Sequence, residues 1–271
     1  MTSKRKSRKV GLAFVDLQSD PFPESGRNYT LVDPASICVG DIPYPDTELK
    51  LLRVQVLSLY IEDLPDFRNR SEGLLTFAAV TRTRGDSANK EDLEYSLGFS
   101  VKNRDYAPGL LQRMVFRNVL VREFFDLGID LVELDSQFAD AYKKVSTVVD
   151  ESGLTSIDAI QSVPYIKVAT RLFGGLVESF GKNIDDVVWS EMPSLQFSPG
   201  PGGAFLRTGI YVLHEQRSLH QTKSARQRGG GKRFPLNSIL FRDGRLEHAD
   251  KDAFPLPNHL IFSIQTEPYL A

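Results

Sequence analysis

Glu62, Asp63 and Asp66 cluster just after a strongly alternating run, and Asp250 and Asp252 cluster just before the last such run. Carboxylate-rich loops at one end of a β structure can surround Ca2+ with six to eight oxygens. Neither cluster has EF-hand spacing, and Pro65 and Lys251 interrupt them. The two loops are a candidate calcium site on ligand type, with solvated acidic loops as the alternative. No other cofactor is implied.

Nucleophilic chemistry needs a base beside a serine or thiol. His214, His220, His248 and His259 could supply the base, and His214 with Glu215 or His248 with Glu247 are nominal acid–base pairs. No Gly-x-Ser-x-Gly elbow occurs, and Cys38 lies in a Pro/Asp-rich stretch with no helix start behind it. Cys38 therefore reads as a small apolar filler. His214 ends a strand pattern and His259 begins one, so both read as strand-end residues. No catalytic residue is assigned.

Anion binding has a better substrate. The stretch 216–233 holds Arg217, Lys223, Arg226, Arg228, Lys232 and Arg233 and no acidic residue. Its Gly229-Gly230-Gly231-Lys232 lacks the phosphate-loop spacing and a following helix. A mobile basic loop of this kind can hold nucleic-acid phosphates or anionic lipid heads by charge alone, or can simply stay solvated. Residues 1–9 form a second basic arm, with Lys4, Arg5, Lys6, Arg8 and Lys9. Between Glu123 and Glu191, by contrast, thirteen acidic residues face only five basic ones. That asymmetry suits self-association or docking on a charged protein partner, or pairing within the chain.

The elements that would position these residues alternate in rhythm. Residues 51–61 read as a strand whose apolar phase slips: Val54 and Val56 point one way, then Leu57, Leu59 and Ile61 take the other. Because register has a period of two, such a slip predicts a β-bulge. Residues 74–83, 93–101, 111–124 and 128–134 continue the β block. The cleanest alternation is Leu93, Tyr95, Leu97, Phe99 and Val101 against Glu94, Ser96, Gly98, Ser100 and Lys102. From 135 to about 190 the spacing becomes helical and predicts a two- or three-helix insertion. Its longest helix, 164–181, lines up Leu172, Phe173, Leu176 and Phe180 on an apolar face that either packs on the sheet or faces membrane. The β pattern resumes at 205–214 and closes with 258–266, and Asp243-Gly244 marks a two-residue hairpin. Residues 1–48, with Pro21, Pro23, Pro34, Pro43 and Pro45, read as a basic arm and irregular lead-in holding one strand near 11–17. The domain proper is then 49–271.

Over 50–134 and 204–267, this strand series with Glu62 and Asp63 in its first loop resembles a C2-type β-sandwich. The resemblance implies docking on membranes or partner proteins through loops at one end, often with calcium. Glu62, Asp63 and Asp66 would then fall in a first loop and Asp250 and Asp252 in a later one. The helical insertion departs from that family's pattern.

A chain of 271 residues with 41% hydrophobic and 25% charged residues can bury a substantial core. A single cysteine excludes an intramolecular disulfide and fits a reducing cytoplasm. No run is long enough for a membrane span or an export signal, so a cytoplasmic location is expected. The net charge of -2 favours no partner class. These readings converge on a mainly β protein with an α insertion: one antiparallel sandwich of about eight strands. Its expected role is a non-enzymatic binding or scaffold module, as a subunit of an assembly. The alternatives are a lipid-binding effector using 164–181 and the basic segments, a hydrolase, and a charge-driven nucleic-acid binder.

Overall fold

A computed structural model describes residues 9–17, 22–34, 49–64, 70–82, 90–122, 124–134, 187–191, 194–196, 204–216, 236–249 and 255–269. Among them the chain is mainly β and forms two curled, almost wholly antiparallel sheets. The strands are β1 (Val10–Asp16), β2 (Tyr29–Val32), β3 (Lys50–Ile61), β4 (Arg70–Arg82), β5 (Lys90–Lys102), β6 (Asp105–Tyr106), β7 (Arg113–Val121) and β8 (Phe124–Leu134). After them come β9 (Val187–Glu191), β10 (Ser194–Gln196), β11 (Ala204–Phe205), β12 (Gly209–Glu215), β13 (Ile239–Arg242), β14 (Arg245–His248) and β15 (His259–Pro268).

The larger sheet runs β14-β13-β2-β1-β12-β15-β3-β6, with β7 also paired to β3. The smaller runs β11-β10-β8-β4-β5, with β9 also paired to β8; its β10–β11 contact is parallel. Fifteen strands thus replace the expected eight among the described residues. Short β6, β9, β10 and β11 carry too few residues to show an alternation. The smaller sheet follows its sequence pattern closely: Leu97, Phe99 and Val101 are buried, and Leu93 and Tyr95 pack against the same core.

Strand β3 holds the predicted bulge. Val56 lies opposite Phe262 and Ser58 opposite Ile261, leaving Leu57 as the extra residue. Val54 and Val56 before it, and Leu59 and Ile61 after it, therefore enter one core although their phases differ. A second irregularity lies in β7, where Asn118 takes a left-handed backbone, φ 57°.

Two cores result. The first lies between the sheets and holds Phe77, Phe125, Trp189, Tyr211 and Phe262. The second lies on the other face of the larger sheet and holds Ala13, Val15, Tyr29, Leu31, Ile210, Val212, Ile239, Phe241, Leu246 and Ile261. It exists because the larger sheet curls until its end hairpin, β13–β14, meets β3 and β6. There Ser58 Oγ donates to the Gly244 carbonyl (2.7 Å), and the Leu246 amide donates to Tyr106 Oη (3.3 Å). The Arg245 guanidinium sits over the Tyr106 ring at 4.9 Å. The hairpin turn is the predicted Asp243-Gly244, with φ 48° and 78°, the backbone twist that a two-residue turn requires.

The segment read as a lead-in contributes β1 and β2 to the interior of the larger sheet, where β1 pairs with β12. The expected helical insertion is not supported. Residues 135–186 lie outside the described ones, and no α-helix occurs among those described. Its predicted end, 187–190, is strand β9, where adjacent Val187 and Val188 favour an extended backbone. The membrane-facing candidates Leu172, Phe173, Leu176 and Phe180 lie outside the described residues, as does the basic segment 217–235. No described helix is long and apolar enough to cross a membrane.

Candidate functional site: a histidine–tyrosine row at one end of the curled sheet

Cross-strand register places Gly11 (β1), His214 (β12), His259 (β15), Tyr60 (β3) and Tyr106 (β6) in one line across five strands. Alternation explains the shared face. His214 lies two positions beyond Val212, and His259 two before Ile261, both residues of the second core. Tyr60 joins them because the bulge at Leu57 has shifted the phase of β3.

The row is built by ring contacts. Tyr60 stacks on His259 at 5.0 Å, and Tyr106 meets His259 edge-on at 5.9 Å. The two tyrosines lie 5.1 Å apart. Gly11 makes room for the far end of the row: a Cβ there would fall 3.1 Å from the His214 ring and 2.7 Å from the Gln216 amide.

His259 is completely buried. Its Nδ1 lies 2.9 Å from the Pro257 carbonyl, which can only accept, so Nδ1 carries the proton. Nε2 is then a bare acceptor, buried with no hydrogen-bond partner. Burial, with a smaller push from His214, lowers the His259 pKa to about 4, against the opposing Pro257 bond. Burial also lowers that of His214. The phenols move the other way: burial pushes Tyr106 up to about 12, and burial followed by the Glu62 charge raises Tyr60. At neutral pH the row therefore carries uncharged imidazoles and intact phenols.

Beside the row, Asn258 ties three chain segments together. Its Oδ1 accepts from the amides of Glu62 (2.7 Å) and Asp63 (3.2 Å). Its Nδ2 donates to the Asp63 carbonyl (3.0 Å) and to Glu215 Oε2 (2.9 Å). The Glu62 carboxylate is buried and engaged on both oxygens, by Tyr60 Oη (3.1 Å) and Arg104 Nε (3.3 Å). Most of this is a buried hydrogen-bond set that fixes loop roots, since a buried carboxylate or amide must be satisfied.

The candidate residues divide accordingly. Of the acidic loop residues, Glu62 and Asp63 are described, and Asp66, Asp250 and Asp252 lie outside the described residues. Among those described, no group of three or more His, Cys, Asp or Glu is placed to hold a metal ion. His214 and Glu215 are both buried, but they point to opposite faces of β12, which is not the geometry of an acid–base pair. His248 lies opposite Ile239 with both ring nitrogens buried and unpartnered, and His220 lies outside the described residues.

Sequence reading missed Tyr60, Arg104, Tyr106 and Asn258. The spacing of Tyr60 and Glu62 beyond the bulge was the one usable signal, because it sets both side chains on one face. No protein-family model, curated protein or solved structure matches the chain.

Proposed function

We propose that the protein is a non-enzymatic docking module that binds an acidic partner surface through charged segments gathered at one end. The observation carrying this reading is the convergence of segment roots. The Gln216 amide donates to the Lys9 carbonyl at 2.7 Å, so the described roots of the two basic segments, Lys9 and Gln216, lie side by side. Through Asn258, the root at Glu215 is also tied to Asp63, which leads into the loop carrying Asp66. The buried network supports a docking role because its polar groups hold the chain instead of facing a substrate. An acidic protein surface is the favoured partner, since the chain's own 123–191 stretch is rich in acidic residues and self-association would use that complementarity.

The test replaces Arg217, Lys223, Arg226, Arg228, Lys232 and Arg233 together by glutamine. Size-exclusion with light scattering at low and high salt reads self-association. Retention on immobilised polyglutamate, duplex DNA and phosphatidylserine vesicles reads the wider partner class. The expected result is self-association or polyglutamate binding that weakens with salt and disappears in the variant. Absence of both, or their persistence in the variant, overturns the reading. Binding to DNA or vesicles alone would replace it with a nucleic-acid or lipid role.

A further inference from the structure

The two ends of the larger sheet, β14 and β6, are not joined by a strand ladder among the described residues. Separate contacts bridge the β13–β14 hairpin to β3 and β6: Ser58 to Gly244, Tyr106 to Leu246, and Arg245 over Tyr106. On its other side the β13–β14 hairpin is attached through two residue pairs, Leu240 with Thr30 and Phe241 with Tyr29. A bond from the Gly26 amide to Asp243 Oδ1 (2.9 Å) adds to this. Ile239, Phe241 and Leu246 on the hairpin nevertheless cover the second core. Directly behind the seam stands His259, in edge contact with the same Tyr106 that receives both Leu246 and Arg245.

We infer that the β13–β14 hairpin is an acid-released strap: a proton on His259 breaks the Tyr106 seam and frees the hairpin while the two-sheet body stays folded.

The groups around His259 make its charged form untenable in the closed state. From β3, Tyr60 covers one face, and Glu62 beyond it is held by Arg104 and Tyr60 itself. From β6 comes Tyr106, next to Asp105, which caps the Tyr106 amide. From β12 come His214, whose charge would repel a second imidazolium, and Glu215, which accepts from Asn258. From β14, Arg245 already places a cation on Tyr106, with Glu247 beside it. Among the described residues, an imidazolium here faces His214 directly and Arg245 across the Tyr106 ring, while the Glu62 and Glu215 carboxylates are engaged by Tyr60, Arg104 and Asn258. Relief comes at the weakest boundary. The strands on either side, β12 and β3, hold β15 by six and ten residue pairs, whereas the seam among the described residues is bridged by separate contacts and not by a ladder.

The sign follows from linkage. Closed, His259 takes a proton only near pH 4; opening admits water and raises its pKa towards the ordinary value of about 6.5. Above that value neither form is protonated and the seam is at full strength. Between the two values only the opened form binds the proton, so opening becomes about tenfold easier per pH unit of acidification.

Amide hydrogen exchange, normalised to the intrinsic rate at each pH, tests this on the full chain. Protection of residues 239–248 should fall about tenfold per unit below pH 6.5, while that of 74–79 in β4 holds. His259→Gln should abolish the pH dependence of the hairpin. Should that variant fail to fold, NMR of the wild-type imidazole decides, since His259 must titrate in step with hairpin opening. Hairpin and β4 losing protection together, pH dependence surviving in His259→Gln, or a His259 that does not titrate with opening would each overturn the strap.

Discussion

Between the sheets, the core around Trp189, Phe77 and Phe125 is enclosed by long ladders, with β4 pairing along thirteen residues of β5. Inside the curl, the core around Phe241, Ile261 and Val212 is closed on one side by a hairpin of two four-residue strands and by separate seam contacts. Both are apolar and buried, yet they differ in what must break to expose them. A ladder gives way cooperatively, because each strand's hydrogen bonds depend on its neighbour. A seam of separate contacts can open locally. The same molecule thus combines a rigid body with one detachable edge, and the His259–Tyr106 contact sits at the boundary between them.

Damage to the first core should have the largest effect. Trp189 is fully buried, and Trp189→Ala should cost about 3–5 kcal/mol and unfold hairpin and body in a single urea transition. Separate transitions would show that the second core stands alone. Trp189→Phe should cost less, because it also removes an indole N–H that is buried without a partner.

Asn258 probes the join. Asn258→Ala leaves the Glu62 and Asp63 amides without their acceptor, and about 2–3 kcal/mol should be lost in urea denaturation. Faster proteolysis near residues 62–64 should accompany the loss. A variant as stable as the parent would show that the loop roots are held by other means.

The smallest effect belongs to the hairpin turn. Gly244 has φ 78° and a Cβ there would meet open space, so Gly244→Ala meets backbone strain alone, about 1 kcal/mol. That loss should appear in amide exchange across 239–248 and leave β4 protection unchanged. Loss of protection in β4 as well would mean that the hairpin is part of the same cooperative unit as the body.

The strands buried on one face were legible as a sequence. Leu93 to Val101 shows its pattern openly, because one side meets the core and the other is polar. The Leu57 bulge and the Asp243-Gly244 turn were also readable, since each leaves a local mark: a phase slip and a pair of residues that tolerate positive φ. The candidate site was legible only in fragments. Glu62 and Asp63 stood out by charge, but nothing local told that Asn258, nearly two hundred positions away, would hold their amides. Strand β12 shows why. Ile210 and Val212 serve one core while Tyr211 and Leu213 serve the other, so its apolar run has no period to read.

Local sequence dictated the β character, the bulge, the hairpin turn and the sorting of charge into basic and acidic stretches. These follow from backbone preferences and side-chain alternation over a few neighbouring residues. Tertiary structure alone decided that β1 and β2 enter the larger sheet, that this sheet curls round a second core, and that two histidines and two tyrosines fall in one row. Those outcomes depend on which distant strands pair and in what register. That choice is made by the summed burial of whole faces and not by any residue's neighbours in the chain.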